Sequence, residues 1–362
     1  MKQFIILNWL FFFFSTLTNA QGKIENIIIV TTDGFRWQEV FMGMDTAIAN
    51  NKRYNQGDST YIYKNYWDSN VEERRKKLMP FTWTTIAQKG QLYGNRIYGN
   101  KVDNANPYWF SYPGYSEIFT GYPDEKINAN SYPNNHLTTV LEFLNKQPGY
   151  KGKVAAFGAW EAFNRIFNEP RCGFPVFAAF DTFPGKVTVQ QKLLNKLLSN
   201  SFKPWHKDEC LDVFTHYAAL EYLKTNEPKV LFIGYGETDE WAHAGEYRFY
   251  LDAAKQVDQW ISEIWTYVQN HPKYKNKTAL LITTDHGRGD KNKSQWTDHG
   301  SEVTGASEIW LAVLAPGFSS KGEVKESMQL YQKQYAQTIA KMLGFTFGAS
   351  HTVAGEVKEV GF

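Results

Sequence analysis

Residues 279–289 read ALLITTDHGRG. The first six, 279–284, are apolar or β-branched without a break, and they run straight into an acid, an imidazole and a glycine. An unbroken run of this length, closed by polar turn formers, marks a strand covered on both faces, as in a parallel sheet. The same pattern recurs along the chain. IENIIIVTT (24–32) runs into Asp33 and Gly34, and VLFIGY (230–235) runs into GETDEWAHAG (236–245), which carries Asp239 and His243. KVAAFGAW (153–160) and IWLAVLA (309–315) are two further strands of this kind. Helical periodicity fills the intervals. It is clearest over 248–269, where Leu251, Ala254, Val257, Ile261, Ile264, Trp265 and Val268 share one face. Segments 137–145, 211–224 and 330–343 read as helices too. Strand and helix in alternation imply an α/β fold, a three-layer α/β/α sandwich around a mainly parallel sheet. Residues 164–210 are richer in Phe, Pro and Gly, break the alternation, and read as a small lid or cap insertion.

Composition narrows the function classes. The 362 residues are 43% hydrophobic and 21% charged, with a formal net charge of +2, which suits a large core and argues against disorder. The only basic run, Arg74 to Lys77, reads as a solvated face, so there is no nucleic-acid-binding signature. Lys2, the apolar stretch from Phe4 to Leu17 and the small residue Ala20 make a secretory signal peptide over 1–20. The stretch is short for a membrane span. The expected product is a periplasmic or secreted domain of residues 21–362, with no membrane span after cleavage. In such a compartment the two cysteines, Cys172 and Cys210, are expected to form a disulfide that pins the insertion.

Functional groups of open α/β sheets collect just past the carboxyl ends of strands. Asp33, Asp239, His243, Asp285 and His286 all stand there, and His299 stands in the polar turn WTDHG (296–300). Singly, each is an ordinary cap or surface residue. Together, three carboxylates and three imidazoles form an oxygen and nitrogen ligand set suited to a divalent metal, Zn²⁺ or Mn²⁺.

An early strand ending in Asp-Gly, then Asp-x-x-x-His, then Asp-His-Gly and a lone later His resembles the alkaline phosphatase superfamily. The stretch SYPGYSEIFTGYP (111–123) is similar to the nucleotide pyrophosphatase/phosphodiesterase branch, in which Thr-Phe-Pro-Asn leads to Thr-Gly-x-x-Pro. The resemblance covers 26–299 in order. It implies one metal site of Asp239, His243 and His299, and another of Asp33, Asp285 and His286 with the Ser111 oxygen. It also implies Ser111 as nucleophile and an exported catalytic domain acting on a small-molecule phosphate-type ester. The branch's Asn after the nucleophile's Pro is Gly114 here. A second Asn, which holds a phosphoryl oxygen, corresponds to Asn130, with Asn128 the neighbouring alternative.

A serine hydroxyl is a poor nucleophile near neutral pH unless a metal or a base activates it. The aromatic cluster Tyr108, Trp109, Phe110, Tyr112 and Tyr115 reads either as a wall for a leaving group or as core. Arg36 and Lys101 are candidate positive charges for a substrate, though a surface role is the commoner one for each. The rival readings are a sulfatase-like or phosphonate hydrolase and a binding protein with a vestigial metal site. Sulfatases require Arg in the motif where Tyr115 stands.

Overall fold

The computed structural model describes residues 23–362; the expected signal peptide lies outside them. Eleven strands are present among the described residues: β1 Asn26–Thr32, β2 Gln91–Tyr93, β3 Asn100–Asp103, β4 Val154–Gly158, β5 Val176–Ala178, β6 Val230–Tyr235, β7 Thr278–Thr283, β8 Glu308–Ile309, β9 Leu311–Leu314, β10 Gly322–Glu323 and β11 Met328–Tyr331. Eight of them form one sheet in the order β10-β2-β9-β7-β1-β6-β4-β5. The five strands from β7 to β5 are mutually parallel, and β9 runs against both of its neighbours. A small second sheet, β11-β3-β8, stands beside it.

The unbroken apolar runs are explained by what lies on each face. Ile27 and Ile29 of β1, Val230 and Phe232 of β6, and Ala279 and Leu281 of β7 pack into one core. Helices Ser111–Thr120, Val140–Asn145 and Tyr335–Met342 contribute to this core from outside the sheet. Their alternates, Ile28 and Val30, Leu231 and Ile233, and Leu280 and Ile282, pack into the other, against helices Asp212–Asn226 and Tyr247–Asn270. Both faces exclude water, so both parities must be apolar. This is the expected three-layer sandwich.

Three local expectations change. The run 309–315 is not one strand. Chain direction switches sheets at Trp310, whose indole donates to Phe35 O at 2.9 Å, so β8 joins β3 and β9 joins the main sheet. Helix does not begin at Leu330, because β11 pairs with β3 and helix starts at Tyr335. Buried Gln332 holds that junction by donating to Thr284 O and Asp285 O at 3.1 and 2.8 Å. These tertiary hydrogen bonds outweigh the local helical pattern. Finally, Cys172 and Cys210 are free thiols, not a disulfide. Cys172 packs into the first core, whereas Cys210 packs with Ala159 and Leu198 in a separate cluster. Within 164–210, β5 extends the main sheet and helix Val189–Asn200 packs outside helix Asp212–Asn226.

Candidate metal centre and nucleophile

Strands β6, β1 and β7 are neighbours, and their carboxyl ends deliver Asp239, Asp33 and Asp285 to one crevice. Asp33 follows β1 directly. Asp239 and His243 stand four apart on the short helix Glu237–His243, so both face the same way. Asp285 and His286 leave β7. His299 arrives on the loop after the turn Lys293–Thr297, where Gly300 N donates to Trp109 O at 3.0 Å. Trp109 itself sits at φ +54°, an uncommon backbone conformation for a bulky residue, two positions before Ser111.

The six side chains separate into two groups, Asp239/His243/His299 and Asp33/Asp285/His286, each with its ligand atoms within 4.8 Å of one another. In the first, His243 Nε2 lies 3.1 Å from Asp239 Oδ2 and 3.0 Å from His299 Nε2. In the second, His286 Nε2 lies 3.3 Å from Asp33 Oδ1 and 3.5 Å from Asp285 Oδ2. Asp239 Oδ1, 3.7 Å from His286 Nε2, joins the two groups. Gly34 makes this approach possible. It holds φ +56°, and a Cβ there would lie 2.5 Å from Asp239 Oδ1 and 3.1 Å from His286 Cε1.

The donor set fits divalent cations. Asp33 Oδ1, Asp239 Oδ1 and Asp285 Oδ2 are buried without a hydrogen-bond partner, although Arg288 Nη2 lies 2.9 Å from Asp239 Oδ1. Orphaned buried carboxylate oxygens are costly unless something charged meets them. His286 Nδ1 pairs with Gly287 O at 2.9 Å. That carbonyl can only accept, so Nδ1 carries a proton, and Nε2, which faces the acids, is the atom that would ligate a metal.

The electrostatics say the same. Burial, then repulsion from neighbouring acids, raises the Asp33 carboxyl and raises that of Asp285 further. Burial alone would hold His286 neutral, but Asp285, Asp33 and Asp239 outweigh it and push it up to about 9. Burial and the His286 charge hold His299 far below the usual imidazole range. Crowded acids that resist ionising together are relieved by a cation.

Ser111 opens helix Ser111–Thr120 and is 6% exposed, with Oγ 3.4 Å from His286 Nε2. The helix N-terminus favours negative charge beside it. Two contacts hold this end in place. Buried Glu117 accepts from Ala105 N and Asn106 N and so anchors the loop that leads to Ser111. Asn130 Oδ1 accepts from Tyr112 N at 3.0 Å, which brings Asn130 beside Ser111. Asn128 has no such contact.

Sequence reasoning missed three residues here. Tyr115 donates to Asp33 Oδ2 at 3.0 Å and orients it. Tyr115 and Tyr112 are buried in the core, so for them the packing alternative holds, while Tyr108, Trp109 and Phe110 stay half-buried. Arg288 is fully buried against Asp239; it stood within the DHGRG motif, but adjacency in sequence gave no sign of its partner. Thr238 donates to Asp33 O at 2.6 Å. Arg36, a candidate substrate contact, is fully buried instead, held by Glu39 and by Asp290 at 3.3 Å.

Residues 205–344 match the family model of the Metalloenzyme superfamily. No curated protein matches the chain in sequence. Among solved structures, wild type alkaline phosphatase PafA superposes with a TM-score of 0.60 at 12% identity, over 94% of this chain and 100% of that one. BT1596, a 2-O GAG sulfatase, gives 0.59 at 13% identity over 93% and 74%. The lipoteichoic acid synthase LtaP from Listeria monocytogenes gives 0.56 at 14% identity over 91% and 74%. The family match spans Asp239, His243, Asp285, His286 and His299, and the solved structures share the fold of this chain.

Proposed function

We propose that this chain is an exported, metal-dependent phosphoesterase that works through a phosphoseryl intermediate on Ser111. The observation that carries the reading is the position of Ser111 Oγ, at a helix N-terminus, 3.4 Å from His286 Nε2 and beside two three-residue ligand groups. Two divalent cations, Zn²⁺ or Mn²⁺, held by Asp239/His243/His299 and by Asp33/Asp285/His286 would supply the positive charge that a phosphoryl group and a serine alkoxide both need. Ser111 Oγ attacks phosphorus in line: the Oγ–P bond forms as the bond to the leaving alcohol breaks. Water then cleaves the Oγ–P bond and returns the hydroxyl. Tyr115 and Thr238 keep Asp33 in place throughout. Asn130, fixed through its Oδ1, keeps its Nδ2 group to donate to a phosphoryl oxygen.

The substrate lean is toward diesters. Arg36 and Arg288 are each engaged by a carboxylate, and Arg165, which donates to Asn130 O at 3.1 Å, is paired with Glu161 at 2.6 Å, so the extra charge of a monoester dianion finds little compensation. Half-buried Tyr108, Trp109 and Phe110 offer a second ester group an aromatic surface. Export rests on the apolar stretch from Phe4 to Leu17; among the described residues no helix is long and apolar enough to cross a membrane.

Chelation should abolish hydrolysis of nitrophenyl phosphate esters, and Zn²⁺ or Mn²⁺ should restore it. Ser111→Ala should lower kcat/KM by ~10³-fold or more while leaving two metals bound per chain. Full activity in that variant would exclude the covalent route. A monoester preference above ~100-fold over the bis-ester, ~2.7 kcal/mol, would overturn the diester lean alone.

A further inference from the structure

Helix Val189–Asn200 packs on helix Asp212–Asn226 through one side only. Gln191 and Leu198 are buried on that side, with Leu194 and Asn195 partly covered. The outward side is apolar. Val189, Leu193 and Leu197, spaced by four, are 82%, 55% and 50% exposed, and Phe202 just beyond the helix is 79% exposed. Single exposed hydrophobes need no explanation, but four together on one outlying helix and its exit mark a contact surface. A shallow depression of about 590 Å³ lies between Leu193, Leu197 and Phe214.

The charges carried by this segment itself have one sign. Between Asp181 and Asp208 the chain carries Lys186, Lys192, Lys196, Lys203 and Lys207 and no acid. All five are exposed, and none lies within ion-pair distance of a carboxylate among the described residues. Lys192 and Lys196 flank the leucines one residue back. On the helix beneath, Glu221 accepts from the hydroxyl of Thr188 at 3.0 Å and is the acid nearest the stripe in the packing of the two helices.

We infer that this face docks the protein onto an anionic lipid surface, with Val189, Leu193, Leu197 and Phe202 entering the headgroup boundary and the five lysines meeting lipid phosphates. An amphipathic helix with exposed apolar residues and a lysine-rich polar side has this use. A second copy of the chain is the poorer fit. A two-fold contact sets the patch against itself and brings two lysine sets without carboxylate partners together. The inference does not depend on the proposed reaction.

The test is co-sedimentation of the full chain with phosphatidylglycerol-containing vesicles and with pure phosphatidylcholine vesicles. Residues 1–22 stay unchanged in every variant, so their contribution cancels. The wild-type chain should partition into the anionic vesicles, more weakly as salt rises. Replacing Leu193, Leu197 and Phe202 by Gln should lower the partition coefficient by ~10-fold or more. Replacing the five lysines by Gln should lower it as far and remove the salt dependence. All these positions are exposed, and should the apolar variant misfold by circular dichroism, the lysine variant still decides. Equal partition of wild type and both variants would overturn the inference. So would absence of binding to anionic vesicles, or a dimer in sedimentation equilibrium that the Gln variants dissolve.

Discussion

Gly114→Ala sets local and tertiary physics against each other. Gly114 lies in the first turn of helix Ser111–Thr120, at helical φ, where Ala is the better helix former by ~1 kcal/mol. Helix propensity alone therefore predicts a more stable enzyme. The structure predicts the reverse, because a Cβ at 114 would lie 2.4 Å from Asp285 O and 3.3 Å from Asp285 Cβ. Contacts between such atoms settle at ~3.5 Å, so the helix and the end of β7 must part by about 1 Å. Overpacking of this kind costs ~1–3 kcal/mol, which cancels or exceeds the gain in propensity. The sharper effect is on chemistry. Ser111 rides on the helix and Asp285 on the strand end, so their separation stretches the site. A misplacement of ~1 Å can cost ~10²-fold in rate. The expected result is a kcat/KM lower by ~10²-fold on nitrophenyl esters and weaker metal retention, with a melting temperature unchanged or reduced. Gly355→Ala, where nothing lies within 4 Å, serves as the control. A Gly114→Ala enzyme that melts higher and keeps kcat/KM within threefold of wild type would refute the reasoning.

Three further expectations concern stability and redox state. Denatured, unreduced protein should titrate with two free thiols, and reductant should leave its melting temperature unchanged; a single slow reduction step would contradict the separation of Cys172 from Cys210. Asp258→Ala should destabilise by ~3 kcal/mol in urea unfolding, since it strands Phe81 N, Thr82 N and Thr82 Oγ1, which the carboxylate accepts at 2.7, 2.9 and 2.6 Å. His216 is buried, stacked on Trp260, and burial pushes its imidazole down to about 4. Between that value and its ordinary ~6.5 the unfolded chain binds more protons, so its contribution is present above pH ~6.5 and lost as pH falls toward 4. The drop in unfolding free energy over that window should be ~3 kcal/mol smaller in His216→Gln, and equal drops would refute the assignment.

Much of this was legible without a structure, because strand signals are local. An apolar run of six or seven residues needs cover on both faces wherever it ends up, so the five central runs announced a covered sheet. Residues at the exits of parallel strands share one rim whatever the strand order, so five of the ligand-type side chains were identifiable as a set, and His299 joined them from its polar turn. What periodicity does not encode is which segments touch. Only the order β6-β1-β7 brings Asp239, which arrives 206 positions after Asp33 in the numbering, to the same His286 as Asp33. Only packing sends Cys172 and Cys210 to different clusters, hands Arg288 to Asp239 and Tyr115 to Asp33, and presses Gly114 against Asp285. The sharing of strand 309–315 between two sheets and the late start of the final helix have the same cause, since buried hydrogen bonds from Trp310 and Gln332 override the local pattern. The amino-acid order by itself determined the central strands, the sandwich and which six side chains are candidate ligands. The tertiary structure decided which atoms meet, because contacts between distant segments depend on strand order and layer packing, and no local period of the chain carries either.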